Sequence, residues 1–177
     1  MDSVEMKTKV LSFFRFGGYS TRMTFVATEA GPFNADVLVS DGEKDIIEIE
    51  TKISWADFRS DFKKRKHAYM KSSWQAYHKG MKPRRWLPTK FYFAVPKVLV
   101  PKAIEAVKGT PYGVLGVLRG QTTKKDNGDR WCRIFVRAKP INTVCPKLLH
   151  RLQLRASSEL VCLRLTGLQE AHSKGEL

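Results

Sequence analysis

The order of patterns along the chain predicts an α/β protein: one mixed β-sheet flanked by helices. Short runs of β-branched and aromatic residues alternate with stretches of helical period, and Gly, Pro and Asp punctuation separates them. At 177 residues and 42% hydrophobic content, the chain has enough apolar side chain for the core of one ordinary domain, taken as residues 1–177.

Ser3 to Phe16 carries Val4, Leu11 and Phe14 at roughly helical spacing and is closed by Gly17-Gly18, which predicts a first helix. Thr21 to Thr28 is rich in β-branched and aromatic residues and reads as a strand, stopped at Gly31-Pro32. Ala35 to Val39 and Ile46 to Ile53 read as the next two strands, joined through Ser40 to Lys44. Ser54 is placed as an N-cap with Asp57 three residues on, so a helix begins after Ile53. Trp55, Phe58, Phe62 and Tyr69 form its apolar stripe, and Arg59, Lys63, Lys66 and His67 fall on another side. From Ser72 to Pro88 the pattern weakens, which predicts a loop or broken helix. Phe91 to Val95 is a strand and Pro101 to Lys108 a helix with proline at its start. Tyr112 to Leu118 and Trp131 to Arg137 are strands across a polar Gly120 to Asp129 turn. Pro146 to about Leu165 is a helix or helix pair.

The two most strand-like segments contain residues that strands disfavour: Asp36 in the first, and Glu48, Glu50 and Lys52 in the second. Alternation puts Glu48, Glu50 and Lys52 on one face and Ile47, Ile49 and Thr51 on the other. In an antiparallel pair, Asp36 shares the face of Glu48 and Glu50 only if the residue numbers of paired positions sum to an even value. A two-residue turn at Asp41-Gly42 gives an odd sum. Val37 and Val39 share a core with Ile47 and Ile49 only with an even one, so the sequence predicts an odd-length loop and acids that converge.

Thirty-two Lys and Arg against 17 Asp and Glu give a net charge of +15, which calls for a polyanionic partner, nucleic acid before an acidic membrane surface. Asp61 is the one acid in the basic run from Arg59 to Lys90, which also holds Tyr69, Trp74, Tyr77 and Trp86. The bland reading of that run is a solvated face; the aromatics beside it add the option of base stacking. The 3 cysteines lack a CxxC pair and read as free thiols and small core residues in a reducing compartment. The N-terminus lacks signal-peptide character and no stretch is long enough to span a bilayer, so a soluble intracellular protein with no membrane partner is expected.

Two carboxylates from neighbouring strands make a hard-oxygen site suited to Mg²⁺ or Mn²⁺, with Lys52 one strand step away to hold water or offset charge at phosphorus. Against this stands the ordinary alternative, a solvent-facing Glu-x-Lys ladder on a half-exposed sheet.

Asp36 followed by Glu50-Thr51-Lys52 on the next strand and then a helix resembles the PD-(D/E)xK nuclease superfamily, the restriction-endonuclease-like fold. The wider string Ile47 to Ser54, with Asp57-Phe58-Arg59, Asp61, Lys64 and Phe91 to Pro96 after it, is similar to MmcB-type DNA repair proteins of bacteria and phages. The resemblance implies a metal-dependent DNA endonuclease or repair nuclease in the cytoplasm of a bacterial or phage-infected cell. Asp36, Glu50 and the Thr51 carbonyl would be its Mg²⁺ ligands, with Mn²⁺ able to substitute, and Lys52 its catalytic lysine. Glu29 resembles an acid that related sequences carry before the Asp strand and takes a supporting role. Asn34-Ala35 stands where the motif's name has Pro. A homodimer is among the assemblies the resemblance implies. Glu48 is either an acid behind Lys52 or a water, or only an ion-pair partner within the sheet. For DNA binding the expected set is Arg59, Lys63, Lys66 and His67, the last being first of all a surface histidine in a basic cluster. The other function class is a non-cleaving DNA-binding module on the same fold, acting within a repair or recombination complex. A basic membrane- or RNA-associated protein would require that the acids not converge.

Overall fold

The computed structural model describes residues 1–17, 23–31, 33–81, 86–118 and 131–173. The elements run α1 (Ser3–Phe16), β1 (Phe25–Ala30), β2 (Ala35–Ser40), β3 (Ile46–Thr51), α2 (Trp55–Asp61), α3 (Arg65–His78) and β4 (Lys90–Pro96). A 3₁₀ turn (Lys97–Leu99), α4 (Val100–Ala106), β5 (Gly113–Val117), β6 (Cys132–Val136) and α5 (Pro146–Ser173) follow. The α/β class read from the sequence is the class observed. The six strands form one sheet in sequence order, antiparallel from β1 to β3, parallel from β3 to β5 and antiparallel again at β6.

Both faces of the sheet are covered, so β3 is buried at every position. On one face α1 lays Met6, Val10, Phe13 and Phe14 over Val37, Val39, Ile47 and Ile49. On the other, α2, α3 and α4 pack Phe58, Met70 and Val100 against Phe91, Phe93 and Val95, while α5 sets Leu148 and Leu152 on Ala27, Leu38 and Ile46.

The predicted register holds. Val37 pairs with Ile49 and Val39 with Ile47, an even sum, across the five-residue connection Asp41–Asp45. Gly42 turns that loop at φ 87°, and the Asp41 carboxylate accepts from the N–H groups of Glu43, Lys44 and Asp45. Ser54 caps α2 by accepting from the Asp57 N–H at 3.1 Å, as its position suggested.

Several local expectations need correction. In α1 the buried stripe is Met6, Val10, Phe13 and Phe14, and Val4 is exposed. The helix after Ile53 is two helices with a turn at Phe62–Lys64, where the Lys64 N–H returns to the Asp61 carbonyl. The second continues to His78, through residues expected to be loop, because Ser73 donates to the Ile141 carbonyl and anchors it to the core. The C-terminal segment is one helix to Ser173. Of the cysteines only Cys132 is buried, and Cys162 is exposed. Thr21, Pro32, Pro83 and the Gly120–Asp129 turn lie outside the described residues.

Candidate active site

The β1/β2 register sets Glu29 opposite Asp36, between the pairs Thr28–Val37 and Ala30–Ala35, and the β2/β3 register, carried one step beyond Val37–Ile49, sets Asp36 opposite Glu50. Three carboxylates thus cross three strands in a row, and like charges directly opposite repel. The row persists because lysines from two helices meet it. Glu29, Asp36, Glu50, Thr51, Lys52 and Lys66 line one cleft of about 620 Å³.

At the outer end, the Lys7 ammonium from α1 bridges Glu29 Oε1 and Asp36 Oδ1, the latter at 2.9 Å. Asp36 Oδ2 accepts from both the Thr51 N–H and its hydroxyl at 2.8 Å. Burial pushes the Asp36 carboxyl up, but Lys7 and the two Thr51 donors outweigh it and hold it below the usual carboxylate range. Glu29 and Asn34 sit at φ 46° and 53°, in the left-handed region where side chains other than glycine are strained. Asn34 Nδ2 donates to Glu29 Oε2 at 2.8 Å, so the strained turn presents its carboxylate to the cleft. Glu29 therefore lines the cleft beside Asp36.

At the inner end, Lys66 Nζ meets Glu48 Oε1 at 3.1 Å and also pairs with Glu50 Oε1. Lys52 Nζ lies 3.1 Å from Glu50 Oε2 and 2.9 Å from Asp61 Oδ1. All five side chains are at least 94% shielded from solvent. Burial raises the Glu48 carboxyl to about 7 despite Lys66, with Glu50 adding to the rise. For Lys52, burial disfavours the ammonium, but Asp61 and Glu50 outweigh it and raise its pKa.

Two members of the expected DNA-binding set move. Lys66 and His67 are buried, not part of a basic surface: the turn at Phe62–Lys64 points the start of α3 inward. Lys66 neutralises Glu48 and Glu50, and His67 packs among Phe62, Phe91 and Phe93 while binding Asp61 and Tyr112. Arg59 and Lys63 are exposed as expected, and Lys64 and Arg65 are exposed at the cleft. Glu48 is an ion-pair partner of Lys66, a residue of α3 and not of the sheet, so its partner is neither Lys52 nor a strand neighbour. The sequence reading missed Lys7, Asp61 and Tyr112. Only Asp61 carried a signal, as the single acid in a basic run.

By donor type, Asp36 and Glu50 fit a hard divalent cation. Each of their four oxygens already has a partner within the chain, so an ion between them competes with Lys7 and Lys66 for the remaining lone pairs. Among the described residues no three His, Cys, Asp or Glu side chains gather closely enough to hold an ion by themselves, which leaves the Thr51 carbonyl and water to complete a ligand set. Among the described residues no helix is long and apolar enough to cross a membrane.

No family model matches the chain, and no curated protein matches it. Among solved structures, the SPO1766 protein of unknown function from Silicibacter pomeroyi is similar, with a TM-score of 0.54 and 18% identity over 97% of this chain and 94% of that one. That likeness is one of fold.

Proposed function

We propose that the chain is a metal-dependent DNA nuclease, hydrolysing phosphodiester bonds in the cleft at the end of β2 and β3. One observation carries the reading: Asp36, Glu50 and Lys52 line the same cleft, in the register that chemistry on a phosphodiester requires. Asp36 and Glu50, with the Thr51 carbonyl, would hold Mg²⁺ or Mn²⁺. Such an ion supplies Lewis-acid polarisation of a phosphoryl oxygen and lowers the pKa of bound water. Lys52, kept cationic by two carboxylates, offsets negative charge that grows on the phosphoryl oxygens during attack. Lys64 and Arg65 at the cleft, with Arg59 on α2 and Lys63 in the turn after it, are exposed cations placed to hold neighbouring phosphates, without reading base sequence.

The test is cleavage of plasmid and branched DNA with Mg²⁺ or Mn²⁺ by wild type beside Lys52→Ala and Asp36→Ala. Both substitutions are expected to abolish cleavage, and activity that survives both removes the proposed site. The engagement of all four Asp36 and Glu50 oxygens by internal partners favours a second reading, a DNA-binding module on the same fold that does not cut in isolation. Salt-sensitive DNA binding with no cleavage under any divalent ion would select it.

A further inference from the structure

Asp61 is fully buried at the end of α2, and three side chains converge on its carboxylate. Lys52 and Lys64 reach Oδ1, Lys52 at 2.9 Å, while His67 Nε2 lies 2.8 Å from Oδ2. A carboxylate can only accept, so His67 Nε2 carries a proton toward it. His67 Nδ1 in turn meets the Tyr112 hydroxyl at 3.0 Å. The chain Tyr112, His67, Asp61, Lys52 thus runs from the residue before β5, through the aromatic core, to the floor of the cleft. His67 is wedged against Phe62, Phe91, Phe93 and Tyr112, so the relay has little freedom to shift.

Asp61, His67 and Tyr112 do not line the cleft, and Asp61 reaches it only through its lysines. We propose that Asp61 is the positioning residue for Lys52, held in turn by His67 and Tyr112. This inference rests on the nuclease reading and sharpens it. Glu50 is the other anchor of Lys52, and it is also a candidate metal ligand. A Glu50 that shared its oxygens with an ion would hold Lys52 less firmly, and a carboxylate with no access to the cleft would keep the ammonium in place. A site in which one acid both bound the ion and held the lysine would loosen the lysine at the moment it is needed. Asp61 separates the two tasks.

The experiment uses the full chain and two readouts. In ¹H–¹⁵N spectra selective for side-chain ammonium groups, the Lys52 signal is identified by its loss in Lys52→Gln. Asp61→Asn, which keeps shape and removes charge, is expected to broaden that signal beyond detection while the Lys66 signal remains. On plasmid DNA it is expected to lower kcat at least tenfold with KM within twofold. A Lys52 signal unchanged in Asp61→Asn overturns the proposal, and so does a kcat within twofold of wild type. Should Asp61→Asn not fold, Tyr112→Phe, which preserves the ring, takes its place: a broadened Lys52 signal supports the relay and an unchanged one overturns it. If wild type cleaves no DNA with any divalent ion, the nuclease reading fails, and the ammonium signal still decides whether Asp61 holds Lys52.

Discussion

The two ends of the carboxylate row use the same components in different solvent. At the outer end Lys7, Glu29 and Asp36 keep 23%, 41% and 20% of their side-chain surface exposed; at the inner end Lys66, Glu48 and Glu50 keep 4%, 2% and 6%. Water screens the first set and competes for each partner, so its ion pairs exchange at little cost. The second set has been stripped of water, and each charge there depends on the others being present. The inner acids and lysines therefore read as a framework that holds Glu50 and Lys52 in place. The outer ones read as the end where an incoming ion or phosphate can take over a contact.

The largest effect that separates the two ends is expected from Lys66→Met. It removes the cation shared by Glu48 and Glu50, leaves two buried carboxylates on one strand face, and should destabilise the fold by about 3–5 kcal/mol. Urea unfolding measures this, and adding Glu48→Gln to Lys66→Met should recover part of the loss. A loss under ~1 kcal/mol would mean that the inner end behaves like a surface pair.

A second expectation follows from proton linkage. Burial holds the Glu48 carboxyl near 7, above its unfolded value of 4.5, so between those limits the folded state binds more protons than the unfolded state. Stability must then fall as pH rises from about 5 to 8, by on the order of 3 kcal/mol in chelator-treated protein, and Glu48→Gln should flatten the slope. Asp61 acts in the opposite sense. Although burial raises its carboxyl, His67, Lys64 and Lys52 outweigh this and hold it below the usual range. Its contribution is present above an unfolded pKa near 3.8 and is lost on acidification. Denaturation midpoints across pH should therefore peak near pH 5, and a profile that rises steadily to pH 8 would contradict the Glu48 assignment.

The face of each acid was legible from sequence because strand alternation is rigid: placing Val37 and Val39 with Ile47 and Ile49 left one register open, and the loop obeyed it. The Ser54 cap was legible for the same local reason. The direction of Lys66 and His67 was not. Helical spacing alone extends one helix across Phe62–Lys64, whereas Phe62 packs on Phe58, Phe93 and His67 and the chain turns there. That turn is decided by tertiary packing, which overrides local pattern. Lys7 was hidden for another reason: α1 lies on the opposite face of the sheet from Glu50's neighbours and reaches Asp36 at the strand end. Nothing in residue spacing reports such a meeting, nor the left-handed backbone of Glu29 and Asn34 that prepares it.

The smallest stability effect, and the one that most sharpens the contrast, belongs to Lys7→Met. The ammonium it removes sits between Glu29 and Asp36 in partly solvated surroundings, so the folding free energy should change by about 1 kcal/mol or less. Ion binding should change in the opposite direction. Removing a positive charge a few ångströms from two carboxylates takes away a competitor, which favours a divalent cation by at least ~1–2 kcal/mol, or roughly tenfold in affinity. Titration with Mn²⁺ followed by electron paramagnetic resonance reads this directly, with Asp36→Asn as the variant expected to lose the site. The combination of near-neutral stability and tighter Mn²⁺ binding is what an exchangeable outer contact requires. An Mn²⁺ affinity equal to that of wild type would mean that Lys7 does not guard the ion's position, and a loss of several kcal/mol would place the outer end in the same class as the inner one.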